Sequence, residues 1–434
     1  MGVTGKTAAE IYDSVRLLTQ SGRLRPGQSL PPVRSLATEL DVNRNTVAAA
    51  YKRLVATGIA LSYGRLGTII REQQTLGEQE GALLGTPLTD LASGNPNPVW
   101  LPDIRDAVAR SSYHPRLYGE ATVNPELDAY GRQWFAGDCP EAFEIDLTHG
   151  AVDAVERLLA ANLVAGDRVA VENPCFLSSI STLRVGGLEA VGVPVDSEGM
   201  RVESLEEALS VGAAQAVILT PRAHNPTGCS LSPERAKALR RVLERYPHVL
   251  VIVDDHFALL SEAAYHSVIP VEAQRWALVR SVSKVFGPDL RLAFVASDHQ
   301  TSLRLRLRLA SGTNWVSHLL QDVVAVCLTS ESLSARIAQS RQDYSRRRAC
   351  LTAALADHKI RVVAPADGLN LWVPLEQDSQ PVVFALAKHG WLVRNGDAFS
   401  VRQVISGLRI TISNLDEVDS NRLAHDVQHS LLGR

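Results

Sequence analysis

Lys284 stands where a lysine has chemistry to do. In "RSVSKVFGPDLRLAF", residues 280–294, a short apolar run stops on two serines and presents this lysine, a glycine turn follows, and Arg291 comes seven residues later. A lysine at a strand end, stripped of water, loses basicity, and its neutral amine can condense with an aldehyde to a Schiff base. Two other stretches keep it company: "VIVDD", an apolar run ending on Asp254 and Asp255, and "HNPTG", a turn carrying Asn225. A lone lysine proves nothing, whereas a lysine, a strand-end carboxylate and an amide-bearing turn form a set. Pyridoxal phosphate needs such a set: an amine for its aldehyde, a carboxylate for its pyridine nitrogen, donors for its phenolate and a cradle for its phosphate.

The elements that must position these residues alternate in type. "DRVAVEN" (167–173), "AQAVILTP" (214–221), "HVLVIVDD" (248–255) and "WALVRSVS" (276–283) read as strands, and "PERAKALRRVLERY" between two of them reads as a helix. This is the rhythm of an α/β fold, a mostly parallel sheet with helices on both faces, whose ligands bind in the loops beyond the strand ends. The segment from about 330 to 434, with "LNLWVPL", "WLVRNGDAF" and "GLRITISNL" around a helix, reads as a smaller α+β piece. "LRLRLRL" (303–309) alternates as a strand would, but it lacks flanking turn residues and β-branched content, so helix is at least as well supported.

Residues 1–71 are organised differently. Ile11, Val15 and Leu18 share a helical face; "PVRSLATEL" opens a second helix on proline; and "RNTVAAAYKRLVATG", with Asn43 as N-cap, repeats apolar residues at Val47, Tyr51 and Leu54. "IALSY" and "GTIIR" then flank "GRLG" as a hairpin. Ten Lys and Arg against four Asp and Glu give this segment a charge of +6, while the remainder carries −9. Three helices, a hairpin and a positive charge are the footprint of a winged helix-turn-helix. Arg44 and Thr46, in the first turn of the third helix, are placed to meet base edges; Arg34, Lys52 and Arg53 to clamp phosphates; and Arg65, at the hairpin tip, to enter a minor groove. Any one of these is as readily a solvated surface charge, but the pattern as a whole is not. Residues 72–90 show no period and read as a linker; as a flexible coil they would span roughly 25 Å.

Composition narrows the class further. A chain of 434 residues, 45% apolar and 21% charged, suits a soluble protein of two or three domains. There is no run of eighteen uncharged apolar residues and no signal-peptide pattern at the start, which predicts a cytoplasmic protein. Cys139, Cys175, Cys229, Cys327 and Cys350 are odd in number and form no CxxC pair, against both a disulfide framework and a zinc site.

Residues 1–71 resemble the GntR family of bacterial transcription regulators, on "LRPGQSLPPVRSLA", "NRNTV" and "GRLGT". Residues 91–434 resemble a fold-type-I aminotransferase-like domain, and together the two resemble the MocR subfamily, in which a winged helix is fused to that fold. The resemblance implies a homodimer that binds double-stranded operator DNA and holds pyridoxal 5'-phosphate on Lys284 as an internal aldimine. It further implies that Asp254 pairs with the pyridine nitrogen, Asn225 donates to the phenolate oxygen and Phe176 of "ENPCF" stacks on the ring. Ser281, Arg291 and the backbone N–H groups of Gly150, Ala151 and Val152 would take the phosphate, with Tyr118 of "YGEA" reaching the partner subunit's phosphate. Arg409 of "SGLRITISN" matches the arginine that grips a substrate or effector carboxylate.

The chain departs from the family in three places. His256 and Phe257 stand where a tyrosine usually serves the phenolate oxygen, leaving His256 as the substitute donor. Val152 and Asp153 replace paired glutamines, and a carboxylate at 153 weakens phosphate binding unless it turns away. "YGEATVNPELDAYG" lacks a glycine and an arginine of the usual pattern. These departures favour a regulator that responds to pyridoxal phosphate or an amino compound, with vitamin B6 genes as its expected target. A working aminotransferase with an appended DNA-binding domain, and a DNA-binding protein with an inert dimer scaffold, stay open as alternatives.

Overall fold

The computed structural model describes residues 2–57, 59–62, 67–70, 80–81, 85–401 and 404–432. These form two compact units, a small one made mainly of the N-terminal residues and a large one that takes in the described residues from Glu80 on, apart from two short segments.

In the N-terminal unit, α1 (Ala8–Gln20), α2 (Val33–Leu40) and α3 (Arg44–Ala56) precede β1 (Ala60–Ser62) and β2 (Thr68–Ile70), which pair antiparallel. Ile11, Val15, Leu18, Val47, Tyr51 and Leu54 are all buried, as their helical spacing predicts. Asn43 caps α3, its side-chain oxygen accepting from the Asn45 N–H at 2.8 Å, which satisfies one of the helix's orphan donors. The Tyr51 hydroxyl donates to the Pro31 carbonyl at 2.8 Å and fixes α3 against the turn before α2. Arg34, Arg44 and Lys52 are exposed. Arg53 lies over the Tyr12 ring at 4.3 Å, so its guanidinium has a packing role inside the unit. Arg65 lies outside the described residues.

The large unit is built on an eight-stranded sheet. Its strands are β4 (Glu144–Thr148), β5 (Arg168–Asn173), β6 (Glu189–Asp196), β7 (Gly199–Met200), β8 (Ala216–Leu219), β9 (Leu250–Asp254), β10 (Trp276–Ser281) and β11 (Ala293–Ser297), in spatial order β4-β11-β10-β9-β8-β5-β6-β7. The run from β10 to β6 is parallel; β11 is antiparallel to both of its neighbours, β10 and β4, so that β4 runs with the parallel set, and β7 at the other edge is antiparallel to β6. The strands β8, β9 and β10 are buried at every residue, which is why they read as continuous apolar runs. A second sheet joins β12 (Asn370–Pro374), β14 (Gly407–Thr411), β13 (Trp391–Asn395) and β3 (Thr89–Leu91).

Two outcomes bear on the reading of the sequence. The segment 303–309 lies within a helix, His299–Ala310, with Leu305 and Leu309 buried and Leu303 and Leu307 exposed, the four-residue period of a helix face. Part of the 72–90 segment belongs to the large unit, since Thr89 and Asp90 pair with β13 and Gly81 donates to the Ser93 carbonyl at 3.0 Å. Among the described residues, no helix is long and apolar enough to cross a membrane.

Candidate functional site

Lys284 sits in a single helical turn, Ser283–Phe286, directly after β10, and the turn ends at Gly287, whose φ of +105° suits glycine. Its Nζ donates to the Gly94 carbonyl at 2.7 Å. Burial lowers the lysine's pKa, as does the nearby Arg409 charge, against the opposing pull of Glu80 and Asp254. This is the lowered basicity that imine chemistry asks of a lysine.

Asp254 ends β9, one strand over. Its Oδ1 is buried without a hydrogen-bond partner, and burial, reinforced by the charges of Asp255 and Glu172, raises its pKa to about 7. Nothing among the described residues satisfies this oxygen, which leaves it able to accept from a donor from outside. Asp255 is the opposite case: Arg222 grips both its oxygens at 2.8 Å, and Arg280 Nε reaches Oδ2 at 2.9 Å. Arg280 also binds Asp138 and the Trp134 carbonyl, which accounts for an arginine 1% exposed in a central strand.

The "HNPTG" turn brings His224 and Asn225 to the same floor. His224 Nδ1 lies 2.7 Å from the Thr227 hydroxyl and its Nε2 3.2 Å from Glu172. Burial alone would lower its pKa, but the Glu172 carboxylate overcomes this and holds it up at about 10. Asn225 meets Arg409, whose Nη1 donates to the Asn225 Oδ1 at 3.0 Å.

Phe176 and His256 lie 6° from parallel with ring centroids 6.5 Å apart. That separation is close to twice the optimum carbon contact of about 3.5 Å, the spacing that brackets one flat ring. Burial, with the Lys284 charge, lowers the His256 pKa to about 4, so its imidazole is neutral. The ring is oriented as a face toward Phe176, which the sequence reading, treating it only as a donor, did not anticipate.

The candidate anion cradle is at Gly150, the N-cap of the helix Ala151–Asn162, which carries Val152 in its first turn. A Cβ at Gly150 would lie 2.9 Å from Arg291 Nη2, so only glycine lets this guanidinium approach the helix start. The Ser281 and Ser283 hydroxyls lie 2.8 Å apart on the turn that carries Lys284. Asp153 accepts from the His149 N–H at 3.0 Å and from Arg157 Nε at 2.8 Å, so its charge is already engaged. Tyr118 is 90% exposed, its ring edge-on to Trp315 at 5.6 Å, on a stretch that also exposes Tyr113 and Leu117.

Sequence reasoning missed Glu80. Its carboxylate is paired with the fully buried Arg409, Oε2 accepting from Nη2 at 2.8 Å and Oε1 from Nη1, while Oε1 also accepts from Asn225 Nδ2 at 2.8 Å. Although burial opposes ionisation, Arg409 and Lys284 hold this carboxyl below its ordinary pKa. "GEQEG" gives no periodic signal that could have singled it out.

Comparison with known proteins completes the picture. Residues 7–70 match the family "Bacterial regulatory proteins, gntR family", and residues 86–427 match "Aminotransferase class I and II". The chain belongs to the GntR-type transcription regulators of the MocR kind, in which a DNA-binding helix-turn-helix domain precedes a class I/II aminotransferase domain. It is 56% identical over 429 residues, 99% of each chain, to the vitamin B6 salvage pathway transcriptional repressor PtsJ of Salmonella typhimurium. The HTH-type transcriptional regulator TauR of Rhodobacter capsulatus is 28% identical, over 87% of this chain and 86% of its own. In fold, the large unit resembles the kynurenine aminotransferase of Pyrococcus horikoshii, with a TM-score of 0.73 at 23% identity, over 80% of this chain and 92% of that one. Pyridoxal phosphate is the cofactor of this fold, and the unpaired Asp254 oxygen, the buried lysine and the Gly150 cradle fit it.

Proposed function

We propose that this protein is a homodimeric, cytoplasmic repressor of vitamin B6 genes whose DNA binding responds to pyridoxal phosphate held at Lys284. The observation that carries the reading is the pairing of a lysine of lowered basicity with a buried carboxylate whose Oδ1 has no partner. When bound, pyridoxal phosphate supplies an aldehyde carbon for a covalent link and a ring that withdraws electrons from it.

The chain's own groups have distinct tasks in this reading. Lys284 offers a neutral amine once it leaves the Gly94 carbonyl, and Asp254 holds a proton at the pyridine nitrogen. Asn225 donates its free amide hydrogen to the phenolate oxygen, and Phe176 and His256 cover the two ring faces. Ser281, Arg291 and the N–H groups of Gly150, Ala151 and Val152 bind the phosphate, where the helix dipole favours an anion. The exposed Tyr118 suits a reach into a second subunit. Response to the cofactor requires that it bind two states of the dimer with unequal affinity, since equal affinity shifts nothing.

The relative PtsJ, a vitamin B6 salvage repressor by name, supports the gene target. Sustained transamination is less well supported, because the guanidinium that would grip a substrate carboxylate is already paired with Glu80. The test is binding of cofactor-free and cofactor-loaded protein to its own upstream DNA at one stated salt concentration. A clear difference in affinity is expected, and equal specific binding would overturn the reading.

A further inference from the structure

Arg409 is fully buried, and both of its terminal nitrogens are already engaged, while its Nε has no partner among the described residues. Glu80 takes two of its N–H groups side by side, Asn225 accepts from Nη1, and the Ala92 carbonyl accepts from Nη2. The two-point fork is the geometry in which an arginine holds a free carboxylate. Glu80 is not a chance visitor, because its neighbours fix it. Gly81 donates to the Ser93 carbonyl at 3.0 Å, and Arg394 Nη2 donates to the Gly81 carbonyl at 2.6 Å. Space for the carboxylate is cut into the backbone as well, since a Cβ at Gly94 would lie 2.6 Å from Glu80 Oε2.

We propose that Glu80 is a specificity residue: an internal carboxylate that fills the Arg409 seat, so that the site admits pyridoxal phosphate but discriminates against amino acids through their α-carboxylate. The inference rests on the cofactor reading given above. Cofactor and Glu80 are compatible, because an amide nitrogen carries two hydrogens and Asn225 gives Glu80 only one. A carboxylate ligand and Glu80 are mutually exclusive, because both need the same face of Arg409. A tethered group competes at an effective concentration in the millimolar range or above, so a free amino acid meets a standing competitor. An amine without a carboxylate meets none. Its reaction with the loaded site exchanges one C=N bond for another, the incoming amine displacing Lys284 Nζ with a proton passing between the two nitrogens, and no oxidant or reductant is consumed.

The experiment titrates cofactor-loaded wild type, Glu80→Gln and Glu80→Ala with L-alanine and with ethylamine, reading the visible absorbance of the lysine-linked cofactor and confirming folding by circular dichroism. Both variants are expected to bind L-alanine roughly tenfold or more tightly than wild type, with ethylamine changed by less than about twofold. Gln removes the charge while keeping the length, and Ala removes the group, so either one folding suffices. If the absorbance forms in all three proteins but the preference between the two amines is unchanged, the specificity role of Glu80 is overturned and the cofactor reading stands. If wild type never develops that absorbance, the cofactor reading fails and the proposal falls with it.

Discussion

Asp254 ends β9 and Asp255 follows it, and the two carboxylates are opposite in their hydrogen bonding. Asp255 is clamped by two arginines through both oxygens, whereas Asp254 keeps one buried oxygen with no partner among the described residues. The two carboxylates differ within one dipeptide: Asp255 ties the loop after β8 to the ends of β9 and β10, and Asp254 is left with an unengaged oxygen among the described residues.

The cofactor-free protein should lose stability as pH rises from about 4 to about 7. Asp254 has a folded pKa of about 7 against an ordinary 3.8, so its contribution is fully present below roughly pH 4 and is lost as pH rises through about 7. Thermal unfolding of wild type and Asp254→Asn across this window should show the slope in wild type and a flatter curve in the variant. Adding cofactor should flatten the wild-type curve, because a protonated ring nitrogen opposite Asp254 favours the ionised form.

Asp255→Asn should be damaging for a different reason. It strands Arg222 in the interior without its counter-charge and leaves Arg280 with Asp138 alone, a change that typically costs about 3–5 kcal/mol. Urea denaturation should place the variant that far below wild type, and an unchanged midpoint would refute the clamp.

Lys284→Ala should remove the covalent link and the visible absorbance while leaving a folded protein. The side chain makes one hydrogen bond, to the Gly94 carbonyl, so the structural loss is small. If DNA binding by this variant still responds normally to the cofactor, covalent attachment is not the sensing step.

The DNA contacts separate by substitution. Arg44→Ala should cost about 1–3 kcal/mol on the operator and relax specificity at one position, while Lys52→Ala should weaken all sequences and reduce the salt slope by about one. Arg53→Ala should instead lower the stability of the N-terminal unit, because its guanidinium covers Tyr12. Affinity measured against salt for each variant, together with its melting temperature, distinguishes the three.

The contrast among these residues shows what the sequence could reveal. The strands β5, β8, β9 and β10 and the three helices of the front unit were legible because burial writes itself as periodicity or as an unbroken apolar run. Lys284, Asp254 and Asn225 were legible because they follow such runs at strand ends. Glu80 was not, since its partner lies 329 positions away and an ion pair leaves no local pattern. The strand β3 was hidden for a similar reason, being three residues long and paired with residues about 300 positions later. Arg280 breaks the apolar run of β10, and the distant Asp138 and the neighbouring Asp255 explain it.

The pairing of β3 with β13 also orders events in time. The helices of the front unit close on contacts within the first 70 residues and can form as soon as those residues leave the ribosome. Thr89 waits for Trp391, and at about 5–20 residues per second that wait is roughly 15–60 s. The Glu80 seat closes later still, once Arg409 has been made. A nascent chain therefore presents its DNA-reading helices well before the domain that would regulate them is complete.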